Sequence, residues 1–197
     1  MMKLLTVTMA SLLTVNAATD AAALKKWEAG QLAKHNELRK LHGGKDLTLD
    51  ADLTAAAQKW SNAQLAAKKM SHDTGLKTGE NLAFKMDSTA DYQKVLDDTP
   101  TQRWYDEIKD YDFTKSEYSS KTGHFTQVVW AKTTKLGCGS ASDGNNVYVT
   151  CRYEPAGNVV GEFKTNVLPL EKKAAADGSA YGFTTAFAGL YILSNLM

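Results

Sequence analysis

Two extended runs, residues 136–142 and 147–153, flank Asp143-Gly144-Asn145-Asn146, and a four-residue loop of these types fixes which positions of the two runs face each other. With the loop centred between Gly144 and Asn145, residues whose numbers sum to 289 are opposed, which sets Cys138 against Cys151. Directly opposed strand residues have Cβ atoms near the separation a disulfide requires, so the register predicts a Cys138–Cys151 bond. A further strand over 158–163 is expected to add an edge to this hairpin.

Ahead of the hairpin the period is helical. Leu32, Leu38 and Leu41 recur at helical intervals from about Glu28, and Gly43-Gly44 is a natural stop. Asp50 or Asp52 can cap a second helix in which Leu53, Ala56, Ala57, Trp60, Ala63, Gln64 and Ala67 form one face. A polar loop with Ser71, His72 and Gly75 leads to Gly79-Glu80-Asn81-Leu82, after which residues 89–96 read as helical. Thr99-Pro100-Thr101-Gln102 then combines a capping residue, a first-turn proline and a box-closing Gln, opening a helix that carries Trp104, Tyr105, Glu107 and Ile108. Helices followed by a small antiparallel sheet give an α+β domain with layered packing.

The two ends stand apart from this domain. Met1-Met2-Lys3, an uncharged apolar run over 4–15 and the small residues of Val15-Asn16-Ala17 are expected to form a secretory signal peptide over 1–17, cleaved after Ala17 or Ala18, the alternative being a buried N-terminal helix. The folded domain is expected over 24–171. Beyond it, 174–197 places small residues before an uncharged apolar stretch, an order that resembles a signal for a glycosylphosphatidylinositol anchor. The alternatives are a retained membrane or interfacial helix and a C-terminal helix packed on the domain. In the secretory compartment both cysteines can oxidise. With 23 Lys plus Arg against 22 Asp plus Glu, the chain lacks the field that draws a protein to nucleic acid, so that class of partner is disfavoured.

The common hydrolase, nucleotide and structural-zinc motifs are missing: there is no Gly-x-Ser-x-Gly, phosphate-binding glycine loop, His-Glu-x-x-His or Cys-x-x-Cys. What remains is a scatter of His and Glu: His72, Glu80, Glu107 after Trp104, and His124 in Gly123-His124-Phe125-Thr126-Gln127-Val128-Val129-Trp130. Five segments, in order, make the sequence recognisable. They are His35-Asn36-Glu37-Leu38-Arg39, Gly79-Glu80-Asn81-Leu82, Trp104-Tyr105-Asp106-Glu107-Ile108, the 123–130 segment, and Cys151-Arg152-Tyr153-Glu154-Pro155-Ala156-Gly157-Asn158. Through them the chain resembles the CAP superfamily of cysteine-rich secretory, antigen-5 and pathogenesis-related proteins. Tyr111-Asp112-Phe113, the 122–130 segment and Gly161-Glu162-Phe163 look most like its secreted, sterol-exporting yeast branch.

The resemblance implies a three-layer α-β-α sandwich. It also implies a short helix over 125–130, where apolar alternation by itself reads as a strand. It places His72, Glu80, Glu107 and His124 around one surface cavity where the imidazoles can hold a divalent metal, and makes the His35 segment helical and structural. Two imidazoles with a carboxylate suit zinc, and a second Glu could take a proton from bound water, yet no nucleophilic Ser or Cys stands out beside them. Structural, metal-binding and catalytic roles for the two His therefore stay open. Between Asp110 and Thr122, Tyr111, Phe113 and Tyr118 occupy a loop too polar to be core, and in the yeast-like branch this loop shapes a sterol pocket. Flat rings with a hydroxyl suit a rigid apolar ligand bearing one OH. The expected function is extracellular binding of a sterol or similar apolar lipid. The alternatives are a recognition module for a protein receptor and a metal-dependent hydrolase.

Overall fold

The computed structural model describes residues 6–86 and 100–171. The expected helix over 89–96, the Thr99 cap and the 174–197 tail lie outside the described residues. The first helix, α1 (Thr6–Lys40), begins well before Glu28 and ends where expected, in a turn at which Gly43 takes φ +69. Strand β1 (Thr48–Leu49) precedes α2 (Ala51–Ala67), and Asp50 is the cap: its carboxylate accepts the backbone N–H groups of Asp52 and Leu53. None of the described helices is long and apolar enough to cross a membrane.

Strands β2 (Gly79–Met86), β3 (Lys135–Ser142) and β4 (Asn146–Glu154) complete a four-stranded sheet in the order β1-β3-β4-β2. The hairpin is as expected, with Cys138 opposite Cys151 and the two joined in a disulfide. Three features differ from expectation. The sheet is mixed, because β1 runs parallel to β3. Gly79-Glu80-Asn81-Leu82, to which the sequence assigned no element, opens a strand antiparallel to β4. Residues 158–163, expected as the edge strand, form a turn in which Asn158 and Gly161 have positive φ, followed by the short helix Phe163–Asn166. A chain that turns left-handed twice in four residues cannot remain extended.

α2 covers one face of the sheet. Its buried stripe is Leu53, Ala57, Ser61 and Gln64, whereas Ala63 and Ala67 from the expected face are exposed. The stripe shifts because the Ser61 hydroxyl and Gln64 amide both donate to the Thr150 hydroxyl on β4. The helix lies very close. A Cβ on Gly137 or Gly139 would fall 2.2 or 2.3 Å from the backbone nitrogens of Thr54 and Gln58, so only glycine lets α2 settle there.

On the other face lie α1, α3 (Pro100–Tyr105) with the 3₁₀ turn Asp106–Asp110, and α4 (Gly123–Val129), which makes the three layers. The 125–130 segment is helical, as the resemblance implied. Every residue from Phe125 to Trp130 is buried, so no amphipathic period was available to reveal the helix. Arg39 ties these elements together. Fully buried, it donates to the carbonyls of Lys45, Val128, Trp130 and Thr133 at 2.8–3.1 Å.

Candidate functional site

The four expected site residues form two imidazole–carboxylate pairs. His72, in the loop after α2, donates Nδ1–H to Glu80 at 2.8 Å; His124, in the first turn of α4, donates Nδ1–H to Glu107 at 2.7 Å. Among the described residues no three His, Cys, Asp or Glu side chains stand close enough to hold a metal ion. The four residues are hydrogen-bonded as two pairs, and strand geometry supplies the reason. Successive side chains point to opposite faces of a strand. Glu80 therefore shares the face of Arg152, its register partner, while Asn81 shares the face on which His124 lies.

The first pair rests on a buried ion cluster. Glu80 has only 4% of its side chain exposed, and Arg152 stands 3.6 Å from it while also bonding Asp73 at 2.7 Å. One Glu80 oxygen additionally accepts the Asp73 backbone N–H. The loop itself is held by α2: Trp60 Nε1–H donates to the Ser71 carbonyl, and the Gln64 side chain accepts the Ser71 N–H. A buried, fixed carboxylate thus presents a largely exposed imidazole to solvent.

The second pair is built into α4. Beyond the imidazole, the other Glu107 oxygen accepts the backbone N–H groups of His124 and Phe125, both at 3.1 Å. Thr122, at the helix start, makes no side-chain cap, so Glu107 satisfies these orphan donors from outside the helix. The His124 ring stacks on Trp104 at a 15° interplanar angle. Trp104 is fixed in turn by donating Nε1–H to the Leu82 carbonyl. Behind the pair runs a chain of buried hydrogen bonds. Asn81 donates to the His124 carbonyl and to the Tyr153 hydroxyl, Tyr153 donates to His35 Nε2, and His35 Nδ1–H donates to the Gln31 carbonyl. Burial drives the His35 pKa down to about 4, opposed by the Gln31 carbonyl and assisted by the Arg39 charge. The same burial raises the Tyr153 hydroxyl far above its ordinary value.

Sequence reasoning assigned no role to Asn81, Tyr153 or Arg152. Each lies inside a recognised segment, so the signal was present; what was missing was the β2–β4 register that brings them together.

The aromatic loop also requires a correction. Tyr111 is buried and Phe113 packs partly buried against the core, with ring centroids 5.4 and 6.2 Å from Phe125; Phe113 also stacks on His42. The loop is polar in composition, yet these two rings turn inward. Between them Asp112 takes the Thr114 N–H and hydroxyl, which closes a turn. Tyr118 differs: the residue is 58% exposed, and its ring leans on Phe163 with centroids 6.3 Å apart.

Comparison with known proteins places these observations in a family. The model of the "Cysteine-rich secretory protein family" matches residues 32–153. "Golgi-associated plant pathogenesis-related protein 1" of Homo sapiens is 42% identical over 159 residues, covering 77% of this chain and 98% of the human protein. "Protein PRY2" of Saccharomyces cerevisiae is 39% identical over 142 residues, covering 70% of this chain and 40% of the yeast protein. Among solved structures, that of BmVAL-1 aligns with a TM-score of 0.62 at 22% identity, covering 74% of this chain and 83% of the other.

Proposed function

We propose, from the premise that the chain belongs to the cysteine-rich secretory protein (CAP) family, that it is a secreted protein that binds a sterol or a related apolar lipid through the loop ending at Tyr118. Secretion is supported by the apolar N-terminal run and by the disulfide, which needs an oxidising compartment. The observation that carries the lipid reading is the exposed Tyr118 ring. An aromatic side chain held against Phe163 and open to solvent is a ready contact for a flat apolar ligand, and its hydroxyl can meet the ligand's own. Binding is favoured over covalent chemistry because both cysteines are tied together in the disulfide. If the tail beyond residue 174 is exchanged for a lipid anchor, the domain acts at the cell surface.

Titrating the purified protein with dehydroergosterol, below the concentration at which the sterol aggregates, tests this. Saturable binding is expected, and Tyr118→Ala should weaken it about five- to tenfold, the value of one ring face buried against ligand. Phe113→Ala is the poorer probe, since Phe113 also packs on Phe125 and His42. Absence of sterol binding by the wild-type protein would leave the receptor-recognition reading in front. Binding unchanged in Tyr118→Ala would move the ligand away from this loop.

A divalent ion such as zinc would be held here by imidazole nitrogen alone, because no group of three ligands stands together among the described residues. With each Nδ1–H given to a carboxylate, the Nε2 lone pairs of His72 and His124 are the free donors; Glu80 and Glu107 then orient the rings from behind and are not themselves ligands. A bound zinc would supply Lewis acidity at the protein surface. Calorimetry should show zinc affinity falling at least tenfold in the His72→Ala/His124→Ala double variant. An unchanged titration in the folded variant removes these residues as ligands.

A further inference from the structure

Midway along α1, the faces of two helices approach each other across an open furrow and are joined there by the Thr54 hydroxyl donating to Glu28. Ala21, Leu24, Lys25 and Glu28 recur at steps of three and four on α1, as do Ala51, Thr54, Ala55 and Gln58 on α2, and both sets line one furrow of about 550 Å³ floored by Trp27, Leu49 and Cys138. Through Leu24 and Gln58 it continues into a second space of about 410 Å³, lined by Asn62, Leu65, Ser140 and Ser142 among others. From Ala51 to Leu65 the furrow follows α2 for about 21 Å at the helical rise.

β1 pairs only with Lys135 and Leu136 of β3, so the outer edge of β3 beyond them faces this furrow. Side chains seal that edge. Glu28 accepts the Cys138 N–H at 3.3 Å and also takes the Thr54 hydroxyl proton, while the Gln58 amide both accepts the Ser140 N–H and donates to the Ser140 carbonyl. An edge closed in this way resists addition of a peptide strand, so the furrow suits a small molecule better than an extended chain.

Its two ends differ in chemistry. The first is walled mainly by alanine, leucine and tryptophan, with Lys25 and Glu28 on its α1 side and Thr54 on its α2 side. The second presents neutral hydrogen-bonding groups, and none of its lining residues is cationic. Ser140 is 2% exposed and its hydroxyl has no hydrogen-bond partner within the protein, a cost that a ligand group would remove. Asn62 gives its side-chain oxygen to Gln58, which leaves its NH₂ to donate.

We propose that this furrow is a second lipid site, distinct from the Tyr118 loop, that takes an uncharged single-chain amphiphile: the acyl chain lies between Leu24 and Ala55, and a hydroxyl or ester carbonyl reaches Ser140 and Asn62. A carboxylate or phosphate head finds no counter-charge at the polar end. The site does not depend on the sterol reading.

The experiment is equilibrium binding of monoolein, below its self-assembly concentration, to protein purified from cells expressing the full chain. One-to-one saturable binding is expected. Ala55→Trp, at an exposed helical position, fills the apolar end and should weaken binding at least tenfold. Ser140→Ala should weaken it three- to tenfold without lowering the melting temperature. Tyr118→Ala should leave it unchanged, and oleic acid, with the same chain and a charged head, should bind at least fivefold more weakly than monoolein. The proposal is overturned if wild-type protein binds no monoolein, or if Ala55→Trp with a wild-type melting temperature binds it as well as wild type. Neither result bears on the dehydroergosterol titration, so the two readings fail separately.

Discussion

Replacing Arg39 with Leu is expected to cost about 4 kcal/mol of folding stability, which is large for a single change. The reasoning starts from the carbonyls and not from the charge. Arg39 makes no hydrogen bond to a carboxylate; its guanidinium serves the carbonyls of Lys45, Val128, Trp130 and Thr133. A planar fork with five donors can face several oxygens at once, and this geometry holds the last turn of α4 and the segment after it against α1. Leucine fills part of the volume but leaves those acceptors buried and unpaired, each at a cost of roughly 1 to 3 kcal/mol that is not fully additive. Lysine cannot reproduce the fork, so Arg39→Lys should recover only a minor part. Urea unfolding of the wild type and both variants measures this. A loss below about 1 kcal/mol for Arg39→Leu would mean that water or a backbone shift satisfies the carbonyls instead. Because α4 carries His124, a folded Arg39→Leu protein should also show a weaker zinc titration.

How much of this was legible in the sequence depended on whether an interaction is local. The hairpin and its disulfide could be read because a four-residue loop sets the register of everything on either side of it. The Asp50 cap was visible for the same reason: donor and acceptor lie within three residues. β2 was not visible. Its first four residues have the composition of a loop, and what makes it a strand is an eight-residue register with β4, about 70 positions away. Tyr111 and Phe113 were misplaced because the polar residues around them describe the loop's outer surface and not where its rings point. The His–Glu residues came from family resemblance, and spacing alone did not bring them together. Even then the grouping into two pairs needed β2, whose alternation sends Glu80 and Asn81 to opposite faces.

The recognised segments also did two kinds of work that a motif does not separate. Glu107 at once holds the His124 ring and satisfies the first N–H groups of α4. Replacing it would remove a site group and a helix support together, so loss of activity in such a variant would not identify a catalytic carboxylate. Conservative replacement by Gln, which keeps one acceptor oxygen, separates the roles better than Ala.

The buried chain behind His124 gives the protein a dependence on pH whose direction follows from His35. Its pKa is about 4 in the folded state against 6.5 for the free side chain, so between these values the unfolded chain binds a proton that the folded one refuses. Stability therefore rises with pH across this window: the contribution is complete above about pH 6.5 and is lost as pH falls towards 4. A shift of this size corresponds to about 3 kcal/mol in all, most of it gone by pH 4.5. His42, which donates to the Leu168 carbonyl and is also depressed by burial, adds to the same slope. Urea unfolding at closely spaced pH values between 7.5 and 4.5 should show the decline. In His35→Gln, where the side chain no longer titrates, the slope should be reduced by up to one proton whatever the variant's absolute stability. Equal slopes in wild type and His35→Gln would show that His35 does not set this dependence. The structural reason for the effect is the direction of the hydrogen bonds. Nε2 must accept from Tyr153, whose hydroxyl in turn accepts from Asn81. A proton on Nε2 makes both ring nitrogens donors, so the Tyr153 hydroxyl must turn to accept and its own buried hydrogen loses its acceptor.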